Sequence, residues 1–239
     1  MTKNRSCGET TAPRLSIVIP ALNEEALIGE TLKSIDRDLE TEVIVADAGS
    51  TDATRHHAEA AGARVLRAKP GRAAQMNSGA AAARGEILLF LHADTRLPPG
   101  YAEQVKEVLH RPGVVAGAFL LGFDDPRISL RLVAAGANLR SRFRQLPYGD
   151  QALFVRKDVF AESGGFRQLP VMEDYEWTRR LRRMGRIALA PGLVTSSARR
   201  WLLHGVFRTT LTHQLMLWGW KLGVSPERLT RWRPRGKTK

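Results

Sequence analysis

Cysteine is almost missing from this chain: Cys7 is the single one in 239 residues. An internal disulfide is therefore excluded, as is a structural zinc site built on several thiolates. A reducing cytoplasm is the simplest compartment for such a composition. Long apolar runs are missing too. No window of about 18 apolar residues runs free of charge, so no membrane-spanning helix is expected. The opening stretch, MTKNRSCGETTAPR, lacks the apolar segment of a secretion signal, and none is expected. Acid is the scarce charge. Asp and Glu total 24 against 37 Lys and Arg, a net charge of +13. That balance favours anionic partners without choosing among nucleic acid, acidic lipid and phosphorylated substrates. Aromatics are few, 7%, and many sit in strand patterns. This argues against a nucleic-acid module, which interleaves exposed aromatics with basic residues. G-x-S-x-G, P-loop and G-x-G-x-x-G motifs are absent, so acyl transfer, P-loop phosphoryl transfer and dinucleotide binding lack support. His56, His57, His110, His204 and His213 are scattered without metal-ligand spacing. There are no internal repeats.

What is present is alternation. LSIVIP (15–20) reads as a buried strand and NEEALIGETLKSI (23–35) as a helix that Asn23 can cap. EVIVAD (42–47), ARVLRA (63–68) and EILLFL (86–91) read as strands. ATRHHAEAAG and GRAAQMNSGAAAARG (71–85) read as the helices between them. Short Gly and Pro punctuation separates the elements. The expected class is α/β, a mostly parallel sheet with helices on both faces. Uninterrupted apolar strands agree, because parallel sheets are covered twice. In such sheets ligands sit beyond the carboxyl ends of the strands, where Pro20, Asp47 and Asp94 fall.

The second half is less regular. VVAGAFLLGF (114–123) and ALFVRK (152–157) read as strands, and ISLRLVAAGANLRSRF (128–143) as an amphipathic helix with a basic face. EDYEWTRRLRRMG (173–185) places acids first and arginines last, the order a helix dipole prefers. Residues 201–224 form a separate apolar-basic stretch. Residues 1–13 are expected to be a flexible tail, 14–200 the main domain, and 201–239 an amphipathic helical segment with a basic tail.

Several carboxylates have two readings. Asp94 is either a strand-end cap or a metal ligand, since a divalent ion bridging two phosphates needs hard oxygen donors. Asp47 and Asp52 are either turn formers in DAGSTD or contacts to a base or ribose. Glu173 and Asp174 either complement a helix N-terminus or include a general base for a hydroxyl nucleophile.

In order, IVIPALNEE, VIVADAGSTDAT, GRAAQMNSGAAAARGEILLFLHAD and GGFRQLPVMEDYEWTRRLRRMG closely resemble family 2 glycosyltransferases, which have the GT-A fold. The resemblance runs from about Leu15 to about Trp201, and is nearest to a small bacterial non-processive subgroup with LHADTRLP and SARRW. It implies roles position by position. Pro20, Asn23 and Glu24 would line the nucleotide pocket, with Gly71 and Arg72 beside the donor. Asp47 would meet the base, and Asp52 would shape the pocket near the ribose. Asp94, at the last position of the family's D-x-D, would hold Mg²⁺ or Mn²⁺ on a nucleotide-diphosphate sugar. Asp174, second of the E-D pair after Glu173, would be the catalytic base. Asp150, Arg200 and Trp201 would face the donor sugar or the acceptor.

The chain departs from the family pattern at three places. His92 replaces the first Asp of D-x-D, which leaves it as a second candidate metal ligand. Met76 stands where many relatives have Arg, so Arg72 is expected to take over the anion contact. Ser197 replaces the Gln of Q-x-x-R-W found in processive synthases. The resemblance therefore implies inverting, metal-dependent transfer of one sugar to a hydroxyl acceptor, a lipid or lipid-linked one included, with no nucleic-acid partner. The basic C-terminal segment suggests a cytoplasmic enzyme lying on an anionic membrane surface. Two alternatives remain at this point. A sugar nucleotidyltransferase would carry a Gly-rich, Arg-bearing loop after the first strand, where this chain has ALNEE. A nucleic-acid-binding protein would leave the strand-end carboxylates unexplained.

Overall fold

β-branched and leucine-rich runs bounded by glycine and acid become the strands of one eight-stranded sheet. The computed structural model describes residues 14–36 and 40–232. The tail expected over 1–13, the lone Cys7 and the basic end from Arg233 to Lys239 lie outside the described residues. The strands are β1 (Leu15–Ala21), β2 (Thr41–Asp47), β3 (Arg64–Arg67), β4 (Ile87–Phe90), β5 (Thr95–Arg96), β6 (Val114–Phe123), β7 (Leu153–Arg156) and β8 (Arg186–Ser196). Their order is β3-β2-β1-β4-β7-β6-β8-β5. The first four pair in parallel, Leu15 lying opposite both Thr41 and Ile87. β7 runs antiparallel to β4 and β6, while β6 and β8 are parallel again.

The helices are α1 (Ile28–Lys33), α2 (Thr54–Ala60), α3 (Arg72–Ala82), α4 (Tyr101–His110), α5 (Ile128–Arg144), α6 (Lys157–Glu162), α7 (Glu173–Met184), α8 (Arg199–His204), α9 (Val206–Lys221) and α10 (Pro226–Thr230). Alternating side chains of β1 send the chain's core to both sides of the sheet. Ile17 and Ile19 join Ile28 and Leu32 of α1 and Val105 and Val108 of α4. Val18 joins Met76 and Ala80 of α3 and Trp177 and Leu181 of α7. Gly79 lets α3 approach β1: a Cβ there would stand 2.3 Å from Val18 Cγ1.

Three local features differ from the sequence reading. The first helix starts at Ile28 rather than at residue 23, and Leu27 holds its N-cap position without a side-chain bond. Asn23 instead adopts φ 53° and accepts the Thr51 N–H at 2.9 Å, joining the ends of β1 and β2. Second, β8 carries no regular strand pattern in the sequence, because Pro191 and Gly192 interrupt it, and its pairing with β6 slips register twice. Third, the C-terminal stretch is three helices. Helix starts at Arg199, Gly205 at φ 83° separates α8 from α9, and α10 folds back so that Leu229 and Met216 pack on Val171.

Candidate functional site

The parallel strands β1 and β4 deliver Pro20 and the His92–Asp94 turn to one edge of the sheet, where a pocket of about 210 Å³ opens. Its walls include Pro20, Glu24, Arg72, His92, Asp94, Asp150, Glu173, Asp174, Arg200 and Trp201. Ten of the sequence-derived site residues therefore converge, although they span most of the chain. Asn23, Asp47, Asp52 and Gly71 do not line this pocket.

The reason is local bonding. Asp47 is buried, and its carboxylate accepts the N–H groups of Gly49 and Ser50 at 3.0 to 3.2 Å. Asp52 accepts from Glu25 N–H at 3.1 Å and Thr54 N–H at 3.0 Å. These bonds build the turn after β2 and fasten it to the loop after β1. The buried Gln75 makes the same junction from behind, donating to Ala21 O at 2.8 Å and Ala46 O at 2.9 Å. Gly71 stands just before α3 at φ 113°, a conformation that favours glycine. Glu24 lies nearer the pocket and accepts from Arg199 Nη2 at 2.8 Å. Burial pushes its carboxyl above the usual range, with Arg199 opposing and Asp94 adding to the rise.

Glu173 and Asp174 begin α7 after Met172, whose φ is 67°. Arg180 anchors this approach, bonding Glu176 and the carbonyls of Ser163 and Gly165. The two acids then differ. Glu173 is buried against Arg72, Nη1 to Oε1 at 3.3 Å. Asp174 accepts Gly149 N–H on Oδ2 and Tyr175 N–H on Oδ1, both at 2.7 Å, and lines the pocket. Backbone donors of this kind fix the orientation of the carboxylate.

His92 Nε2 and Asp150 Oδ1 are buried and lack hydrogen-bond partners among the described residues. Both belong to the same space. A Cβ placed on Gly149 would meet His92 Nε2 at 2.9 Å and Asp174 Oδ2 at 3.2 Å. Glycine at 149 thus allows the PYGDQ turn to approach both groups. Burial first, then Arg72 and Arg200, hold the His92 imidazole well below its ordinary pKa, so it is neutral at pH 7. Burial raises the Asp150 carboxyl to about 6, with Arg140 opposing and Asp174 adding to the rise.

Asp94 and His92 are the two candidate donors for a divalent ion in this pocket. Among the described residues no three His, Cys, Asp or Glu side chains are grouped so that they could hold a metal ion. Asp94 nevertheless faces the pocket, and an unpartnered buried nitrogen on a neutral imidazole lies two residues away. An ion that takes most of its oxygens from a diphosphate needs no more from the protein.

Sequence reasoning missed part of the wall. Tyr148 lies under the Arg140 guanidinium, 3.5 Å from its ring centroid, and lines the pocket. His213, Met216 and Leu217 reach in from α9. Tyr148 lies two residues before Asp150, the position that the family resemblance points to. The α9 residues carried no such signal, since only the return of the C-terminal helices brings them here. Met76 is buried in the core away from the pocket, whereas Arg72 lines it.

The model of the family described as Glycosyl transferase family 2 matches residues 16–168. A glucosyl-3-phosphoglycerate synthase of Mycolicibacterium paratuberculosis is 40% identical over 92 residues, covering 34% of this chain and 28% of that protein. The corresponding protein of Mycolicibacterium smegmatis is 39% identical over 92 residues and is covered to 30%. The matched stretch thus spans less than a third of these curated relatives. Among solved structures, the mannosyltransferase PcManGT from Pyrobaculum calidifontis, in complex with GDP-Man and Mn²⁺, gives a TM-score of 0.65 at 22% identity, covering 88% of this chain and 64% of that one. Glucosyl-3-phosphoglycerate synthase from Mycobacterium tuberculosis, in complex with phosphoglyceric acid, gives 0.58 at 23% identity, covering 78% and 71%. These likenesses establish the GT-A fold. Together with the family match over most of the sheet, they identify the chain as a member of glycosyltransferase family 2.

Proposed function

We propose that this protein transfers a single sugar from a nucleotide-diphosphate sugar to a hydroxyl acceptor, with inversion at the anomeric carbon. The observation that carries the reading is the convergence of Asp94, Arg72 and Arg200 with Asp174 in one pocket beyond β1 and β4. A diphosphate leaving group concentrates negative charge as its bond to the sugar breaks. Arg72 and Arg200 supply fixed positive charge where that develops. Asp94, with His92 as second donor, would hold a Mg²⁺ or Mn²⁺ ion, whose chemistry is Lewis-acid neutralisation of the diphosphate.

Asp174 acts on the other reactant. It takes the proton of the acceptor hydroxyl as that oxygen bonds the anomeric carbon and the diphosphate oxygen departs. One displacement inverts the centre. Its two backbone bonds leave the carboxylate oriented, while Arg72 occupies the neighbouring Glu173. Asp47 and Asp52 act on the nucleotide by setting the turn that receives it beside Pro20, Asn23 and Glu24. Gly71 lets the chain enter α3 so that Arg72 reaches the phosphates.

Residues 14–200 carry the donor site in this reading, and the segment from Trp201 onward supplies the acceptor side. The acceptor is a lipid or lipid-linked hydroxyl met at the cytoplasmic face of a membrane. The apolar and basic residues of α8 and α9 support this. Among the described residues no helix is long and apolar enough to cross a membrane, and the association in this reading is a peripheral one. Family 2 membership favours sugar transfer over nucleotidyl transfer and over nucleic-acid binding.

The test is a thermal-shift panel of nucleotide-diphosphate sugars with Mn²⁺, since a ligand of the native state raises Tm by mass action. One donor should raise Tm in the wild type, and Asp94→Asn should abolish the Mn²⁺-dependent part of the shift while keeping the unliganded Tm. An unchanged metal-dependent shift in Asp94→Asn removes the metal role.

A further inference from the structure

A second cleft, of about 890 Å³, adjoins the catalytic pocket and is the larger of the two. Tyr148, Asp150, Trp201, His213 and Leu217 belong to both, so the cleft opens into the site that holds Asp174. One bank is α5, with Leu132, Gly136 and Phe143; the other is α9, with Leu217 and Trp218. Its charged residues are one-sided. Arg144, Arg179, Arg182 and Lys221 line it, and Asp150, where the two spaces meet, is the one acid among the described lining residues. Arg144 and Arg182 have no carboxylate partner among the described residues.

Both banks also carry an uncovered apolar stripe. On α5, Ile128, Leu132, Leu139 and Phe143 are exposed, Phe143 at 73%. At about 100° per residue they fall within an arc of roughly 60°. On α9, Phe207, Leu211, Leu215 and Trp218 are exposed, Phe207 at 82%, and Leu222 follows at the helix end. They fall within an arc of roughly 80°. Each stripe borders the cleft, through Leu132 and Phe143 on one side and Trp218 on the other. Acids are missing around them. None occurs between Asp125 and Asp150, or between Glu176 and Glu227, whereas Arg127, Arg131, Arg142 and Arg208 flank the stripes.

We infer that α5 and α9 together form a docking face for an anionic lipid bilayer, and that the cleft between them admits an anionic lipid acceptor to the catalytic pocket. Apolar stripes bordered by arginine match the acyl boundary and the headgroups of such a surface. A second copy of this chain is a poorer occupant, because pairing this face with itself sets arginines against arginines. Nucleic acid would satisfy the charge and leave the stripes in water. The docking face stands on the surface itself. The admission of an acceptor rests on the sugar-transfer reading above.

Flotation of the full-length chain with phosphatidylglycerol vesicles tests the face. Binding is expected at low salt, with weakening in high salt and on phosphatidylcholine. The paired substitutions Ile128→Ser with Leu139→Ser on α5, and Phe207→Ser with Leu222→Ser on α9, should each cut vesicle binding about tenfold. The donor-induced Tm shift should stay as in the wild type. Wild-type protein that ignores phosphatidylglycerol overturns the inference. So does an α5 pair that binds normally, or a dimer in light scattering that these pairs dissociate.

The cleft is tested with dodecyl phosphate below its micelle concentration. Gly136→Leu adds bulk to the cleft, where a Cβ at 136 meets nothing within 4 Å. It should weaken dodecyl phosphate binding about tenfold while vesicle flotation is retained. Equal binding by Gly136→Leu, or equally tight binding of neutral dodecyl maltoside to the wild type, overturns the passage. A chain that floats on vesicles yet responds to no nucleotide-diphosphate sugar fails the sugar-transfer reading alone and leaves the docking face in place.

Discussion

Glu173 and Asp174 are adjacent in the chain, yet the fold gives them different surroundings. Arg72 holds Glu173 in a buried ion pair, whereas Asp174 is oriented by two backbone N–H groups. Loss of the proposed proton acceptor would act on the transition state more than on donor binding. Asp174→Asn should therefore keep the donor-induced Tm shift and lower kcat by at least about a hundredfold, the usual scale of general-base catalysis. Glu173→Gln should instead lower Tm, since it leaves the Arg72 charge with less compensation. If Glu173→Gln causes the larger fall in kcat, the base is assigned to the wrong carboxylate. Asp150 gives a pH signature. Its carboxyl is raised to about 6, chiefly by burial, from an ordinary value of 3.8. The folded state therefore binds this proton more tightly than the unfolded chain. The stability it lends is present at low pH and declines as pH rises through about 6. Asp150→Asn should raise Tm at pH 8 and lose that advantage by pH 4, as followed by calorimetry. An equal difference at both values would show that the carboxyl titrates normally.

At the scale of elements, the first four strands and their helices were legible because their signals are local. Turn glycines, uninterrupted apolar runs and strand-end acids lie within a few residues of the features they specify. β8 was not legible. Pro191 and Gly192 break its alternation, and its parallel partner β6 lies far upstream with two register slips between them. The first helix is shorter than its sequence pattern because Asn23, a good cap by type, bonds across to Thr51 instead. The packing of α3 on β1 was equally hidden, since nothing local marks Gly79 as a contact point. A methyl there must displace Val18, although alanine is otherwise the better helix former. Gly79→Ala should thus lower stability by about 1–3 kcal/mol, the cost of overpacking a close contact. Denaturant unfolding measures it, and a gain in stability would show that α3 can move away from the sheet.

At the scale of the molecule, the carboxylates of the site could be named from motifs, but the wall that closes over them could not. His213 and Met216 reach the pocket because α10 returns and seats Leu229 beside Met216 and Val171. Val171 immediately precedes Met172, the residue that introduces Glu173 and Asp174. The C-terminal helices therefore brace the segment that positions the proposed base, whatever surface their outer faces meet. Truncation after Arg200 removes Trp201 from both clefts and uncovers Val171. It should lower Tm and reduce hydrolysis of the nucleotide-diphosphate sugar even where no acceptor or membrane is supplied. Leu229→Ala is the gentler form of the same test, costing about 2–5 kcal/mol for a fully buried leucine without touching the α5 or α9 stripes. It should impair donor hydrolysis as its Tm falls and keep vesicle binding below that Tm. If the truncated chain melts as the full chain does and hydrolyses donor equally well, the C-terminal helices do not support the site, and their contribution is confined to the surface they present.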